Sequence, residues 1–72
     1  MTLGTFTLGQ FEAKVYEAEQ GFTVTTVQRG DLPRTSLSNH EEMDRAVTEF
    51  QRVVVEALEA ELLARGIDRL QN

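Results

Sequence analysis

The side chains able to do chemistry crowd into the second half of the 72-residue chain. Glu41, Glu42, Asp44, Glu49, Glu56, Glu59 and Glu61 fall within two dozen positions. Paired carboxylates work as acid and base when a concave, partly apolar pocket pushes their pKa values apart. Here the spacing points elsewhere. Glu41 and Arg45, and Glu61 and Arg65, stand four apart, and Glu49 and Arg52 stand three apart. Those are the intervals of ion pairs along a helix surface, each worth about 0.2–0.5 kcal/mol. The carboxylates therefore read as the solvated sides of a helix, and no catalysis is expected. One histidine, His40, and no cysteine leave no set of zinc ligands. No glycine-rich phosphate loop is present, so no cofactor is expected. Arg29-Gly30-Asp31 matches an adhesion tripeptide, but three residues recur by chance.

The element that carries these groups is the organising one. Residues 38–66 predict a single amphipathic helix. Ser38 precedes Glu41 by three and Asn39 precedes Glu42 by three, so either pair fits a capping box. Acidic residues fill the first turns, where the helix dipole favours them. Gly66 supplies a left-handed stop, with Ile67 after it as an apolar contact. Between these ends Met43, Val47, Phe50, Val54, Leu58 and Leu62 recur at helical spacing, flanked by Ala46, Val53 and Ala57. The stripe drifts toward its end, where Glu61 takes the direction of Met43, so the last turn is expected to overhang the sheet. Val55, Leu62 and Leu63 fall outside the narrow stripe and predict a second contact surface.

The first half of the chain alternates as strands do. Phe6 and Leu8 share one parity, while Phe11, Ala13 and Val15 share the other. A two-residue hairpin at Gly9-Gln10, the preferred reading, or a bulge at Gly9 accounts for the change of phase. Glu17 to Gly21 reads as a turn and residues 22–28 as the next strand, with Phe22 and Val24 inward. Tyr16 and Val27 lie on the outer face and join the predicted oligomer or partner interface. Gly30, Asp31 and Pro33 break the pattern, and Thr35-Ser36-Leu37 reads as a short extended lead into the helix. The expectation is one α+β domain over residues 1–72: a three-stranded antiparallel sheet packed on one long C-terminal helix. Ile67 and Leu70 fit either a short fourth strand or a helical continuation.

Composition narrows the partners. A domain of this size buries only about 60% of its unfolded surface, and without disulfide or metal the remaining staple is oligomerisation. Twelve acidic against seven basic residues give a net charge of −5, without the basic footprint of a nucleic-acid binder. A small sheet-plus-helix nucleic-acid module is kept as the alternative, and nucleic acid is not the expected partner. No apolar run reaches the ~20 residues of a membrane span, and Met1-Thr2-Leu3-Gly4 lacks the features of a signal peptide, so the expected location is cytoplasmic.

The stretch from Phe11 to Gly66 resembles the N-terminal domain of HicB-type antitoxins. The matching features are the strand Phe11-Glu12-Ala13-Lys14-Val15-Tyr16, the acidic turn Glu17-Ala18-Glu19-Gln20-Gly21, and the strand Phe22-Thr23-Val24-Thr25. Asp31-Leu32-Pro33 then precedes Ser38-Asn39-His40-Glu41-Glu42 and a long helix. Arg34 stands where the family usually has Gly, and Asp31-Leu32-Pro33 comes later than in the family pattern. The resemblance implies a degraded ribonuclease-H-like fold that dimerises. It also implies a non-enzymatic role: an acidic domain neutralising a small basic toxin that acts on RNA. The residues after Gly66 are too few for the family's DNA-binding module, so autoregulation is not expected. An orphan domain that only self-associates is equally compatible.

Overall fold

The structure is a computed structural model and describes residues 1–66. Four strands, β1 (Thr2–Leu8), β2 (Phe11–Ala18), β3 (Gly21–Gln28) and β4 (Arg34–His40), pair antiparallel in chain order. One helix, α1 (Met43–Ala64), then packs on one face of the sheet. The expected α+β class is observed, but the sheet has four strands before the helix instead of three. The extra strand grows from the expected lead-in at Thr35-Ser36-Leu37. It pairs with β3 along its whole length, from Gln28 opposite Arg34 to Phe22 opposite His40. Its sequence hides it because it is an edge strand whose side chains are mostly polar, so no apolar alternation marks it. The question of a strand at Ile67 and Leu70 lies outside the described residues.

The first hairpin takes the preferred form. Leu8 pairs with Phe11 across the two-residue loop Gly9-Gln10, and Gly9 has φ 59°. The loop explains the change of parity: Gly4, Phe6 and Leu8 lie opposite Val15, Ala13 and Phe11, all on one face. The Phe6 and Phe11 rings meet edge to face, their centroids 6.4 Å apart. The register shifts between Thr2 and Gly4, so the only irregularity of this pairing is at its far end. In β3, Phe22, Val24, Thr26 and Gln28 continue the same face. Gly21 opens β3 with φ 137°, and a Cβ there would run into the carbonyl oxygen of His40. Glycine is thus needed at this corner both for its backbone angle and for the space.

The helix begins later than expected. Ser38 and Asn39 belong to β4, not to a capping box. Their side chains are already engaged: the Thr23 hydroxyl donates to Asn39 Oδ1 at 2.9 Å, and Ser38 Oγ lies 3.1 Å from His40 Nε2. The N-cap is Glu42, in extended conformation and without a side-chain cap bond. At the C-terminus Gly66 takes the left-handed conformation that the sequence predicts, while the expected contact of Ile67 lies outside the described residues. Gly66 has φ 77°, and its N–H donates to the Leu63 carbonyl at 3.0 Å.

The core is thin. Ala13, Val15, Val24 and Ala46 are its buried apolar residues, with Phe22 and Phe50 packed partly buried against them. The helix is therefore rotated from the expected stripe. Ala46 is fully buried, whereas Met43 and Leu58 remain 49% and 42% exposed. At about 100° per residue, Ala46, Phe50, Val53 and Ala57 form one line. The two alanines let the helix lie close to the sheet, which places the larger Met43 and Leu58 at the margin. Phe50 reaches over β1, where an added Cβ on Gly4 would lie 3.6 Å from its ring.

Two stability predictions follow. Gly21→Ala is expected to cost about 2 kcal/mol or more, from backbone strain and the clash with His40, while Gly9→Ala, in open space, costs about 1 kcal/mol. Urea denaturation midpoints order the two. Phe50→Ala is expected to cost about 2–3 kcal/mol, below the 3–5 of a fully enclosed phenylalanine, because its ring is only partly buried. An unchanged midpoint would show that the ring does not hold the helix on the sheet.

Candidate interaction surfaces

The helix presents two chemically different flanks. Arg45, Glu49, Arg52 and Glu56 lie to one side of the line through Ala46, Phe50 and Val53. Arg45 and Glu49 line a cleft with His40, and Glu56 lines one with Arg34, so this flank faces β4. Here Arg52 is clamped between two carboxylates, Glu49 at 2.7 Å and Glu56 at 2.8 Å. Hydrogen bonds to Glu49 and then Glu56 hold its guanidinium above the ordinary arginine pKa. The expected pairs at Glu49–Arg52 and Glu61–Arg65 are present, the latter at 2.7 Å. Arg45 is the exception: it reaches Glu42 at 3.9 Å in place of Glu41. Glu42, Glu49, Glu56 and Glu61 are thus each matched to an arginine on an open surface. Among the described residues, no three His, Asp or Glu side chains gather as a metal site requires.

The opposite flank faces β1 and is apolar. Val47, Val54 and Leu62 are half-buried along it, and Leu58 and Val55 are more exposed. Beside it, Phe6 and Leu8 point up from β1, half-buried. At 22 residues α1 is about 33 Å long and outruns strands of about 25 Å. An open cleft of about 600 Å³ lies between the later turns of the helix and the β1–β2 and β3–β4 ends of the sheet. Leu8, Phe11, Val53 and Ala57 make its apolar walls, and Gln28, Arg34 and Glu61 its polar rim.

The five residues expected at an interface do not converge. Val55 is 51% exposed and points away from the sheet, with half-buried Leu62 beside it on the apolar flank. Leu63, 66% exposed, lies on the charged flank. Tyr16 and Val27 sit on the far side of the sheet. That face is rich in threonine: the row Thr2, Tyr16, Thr23, Asn39 crosses all four strands, and the row Thr7, Glu12, Val27, Thr35 runs parallel to it. Thr23 is buried there at 4% exposure, its hydroxyl satisfied by Asn39. Arg29 approaches Glu12 at 3.6 Å on the same face. Tyr16 and Val27 are therefore separate half-covered residues in a polar surface, not part of the helix patch. Sequence reasoning missed Phe6 and Leu8 as neighbours of the helix flank, because their role follows from the pairing of β1 rather than from a local pattern.

Arg29, Arg45, Arg52 and Arg65 each pair with a carboxylate, which removes much of the positive charge a phosphate backbone would meet. No helix among the described residues is long and apolar enough to cross a membrane. No family model, curated protein or solved structure matches this chain.

The charged flank generates a salt-dependence prediction. Arg52→Ala is expected to lower the melting temperature slightly in dilute buffer and not at all in 1 M salt, since exposed pairs are weak and screened. An equal loss at both salt concentrations would mean that Arg52 contributes through packing.

Proposed function

We propose that this chain is a non-enzymatic, HicB-like protein-binding domain that self-associates and takes a small basic protein as its partner. The observation that carries this reading is the apolar flank of α1. Val54, Val55, Leu58 and Leu62 form a neighbouring set of apolar side chains, Val55 and Leu58 exposed and Val54 and Leu62 half-buried, on a domain of net charge −5. The antitoxin-like part is supported by element order. β2, β3 and β4 followed by α1 give the three strands and helix that the resemblance implies, with the acidic turn ending in Gly21 and Asp31-Leu32-Pro33 ahead of the last strand. In this reading β1 is an addition to that unit. The acidic surface attracts the basic partner over distance, and the apolar flank supplies the contact that holds it.

The test is affinity capture of the tagged chain from its native cells, with the eluate examined for protein and RNA. One small basic protein in near-stoichiometric amount is expected. Val55→Asp should abolish its recovery while leaving the melting temperature unchanged, because Val55 is exposed and outside the core. Recovery of the bait alone would overturn the partner half of the reading, and RNA without a second protein would favour a nucleic-acid module.

A further inference from the structure

We infer that β1 pairs antiparallel with β1 of a second copy, joining two sheets into one of eight strands about a two-fold axis. This inference rests on the self-association in the proposed function and names the surface responsible. The first observation is the edge itself. Edge strands of monomers are ordinarily guarded by charge or proline, because their free N–H and C=O groups template another strand. The β4 edge is guarded: Pro33 and Arg34 stand at its start, and its side chains are polar apart from Leu37. The β1 edge is not. Thr2-Leu3-Gly4-Thr5-Phe6-Thr7-Leu8 contains no charged residue and no proline. Its one irregularity lies between Thr2 and Gly4, which leaves Thr5 to Leu8 in regular extension.

The backbone of that edge is aimed outward at defined positions. In an antiparallel ladder, bonded and non-bonded pairs alternate, and the pair closing a two-residue loop is a bonded one. Counting from Leu8 and Phe11, the bonded residues of β1 are Leu8, Phe6 and Gly4. Thr5 and Thr7 therefore present their N–H and C=O groups to the open side. The same count through β2 and β3 turns Leu37 and Asn39 outward on β4.

The second observation is charge. A chain of net charge −5 repels its copy over most of its surface, but an uncharged β1 opposes no like charges across the two-fold. An identical strand is also self-complementary under that symmetry, which an unrelated segment is not.

The test reads the assembly and the edge separately. Light scattering of the intact chain is expected to give the mass of two copies. In that sample amide hydrogen exchange should be slower at Thr5 and Thr7 than at Leu37 and Asn39, by about tenfold or more. Thr5→Pro removes an outward N–H without touching the ladder to β2, and should halve the mass with the circular dichroism of the fold retained. Leu37→Pro, the same change at the β4 edge, should leave the mass at two copies. A two-copy mass with fast exchange at Thr5 and Thr7 would overturn this surface and leave self-association standing. A single-copy mass for the intact chain would overturn the inference together with the self-association half of the proposed function, and partner capture would still judge the other half. Should Thr5→Pro fail to fold, the exchange pattern of the intact chain decides.

Discussion

The contact of Ala46 with the centre of the sheet is the constraint on which this small domain depends. Val15 and Val24 are paired neighbours on β2 and β3, and Ala46 is the helical residue buried against them. A residue with no atoms beyond Cβ lets the helix backbone approach the sheet. Everything larger is pushed to the sides: Phe50 over β1, Phe22 toward the β3–β4 corner, Met43 and Leu58 to the margin. The result is a slab whose shortest extent is 15 Å, two layers with little interior. A core this thin cannot hold many apolar side chains away from water.

The corner between β3 and β4 carries the second constraint. Gly21 admits the carbonyl of His40 where any side chain would collide with it. That close approach keeps β4 in register with β3 to its last residue, so the chain enters α1 after only Glu41 and Glu42 with its direction already set. The hydrogen bond from Thr23 to Asn39 fastens the same corner from the other face. The usual device for starting a helix is then absent, since Glu42 caps nothing with its side chain. Tertiary attachment at the corner substitutes for the local cap.

These constraints explain the uneven surface. The β4 side of the molecule is charged and paired, with Arg52 held between Glu49 and Glu56. The β1 side is mainly apolar, with Val47, Val54 and Leu62 half-buried along the helix, Phe6 and Leu8 half-buried on β1, and Leu8 lining a cleft with Val53 and Ala57. A helix laid across a four-stranded sheet covers its central strands best, and the two edges inherit opposite chemistry.

The sequence by itself determined the class of the domain and the identity of most of its elements. Periodicity of two in residues 11–28 and the helical recurrence from Ala46 to Leu62 are local signals, written in neighbouring residues. The hairpin at Gly9-Gln10 was legible because a change in parity leaves few alternatives. Gly66 was legible as a helix stop because its backbone freedom is intrinsic. Only the tertiary structure decided the rest. Strand β4 has no apolar alternation and exists because β3 offers it a ladder. Ser38 and Asn39 look like caps in the sequence, but their side chains are claimed by neighbours in the strands. The face of α1 that is buried was misplaced by a third of a turn or less, since the stripe and its alanine flank are equally apolar and only the closeness of the sheet separates them. The dispersal of Val55, Leu62, Leu63, Tyr16 and Val27 over three surfaces has the same cause: which residues share a surface depends on how elements pack, and no local pattern encodes that.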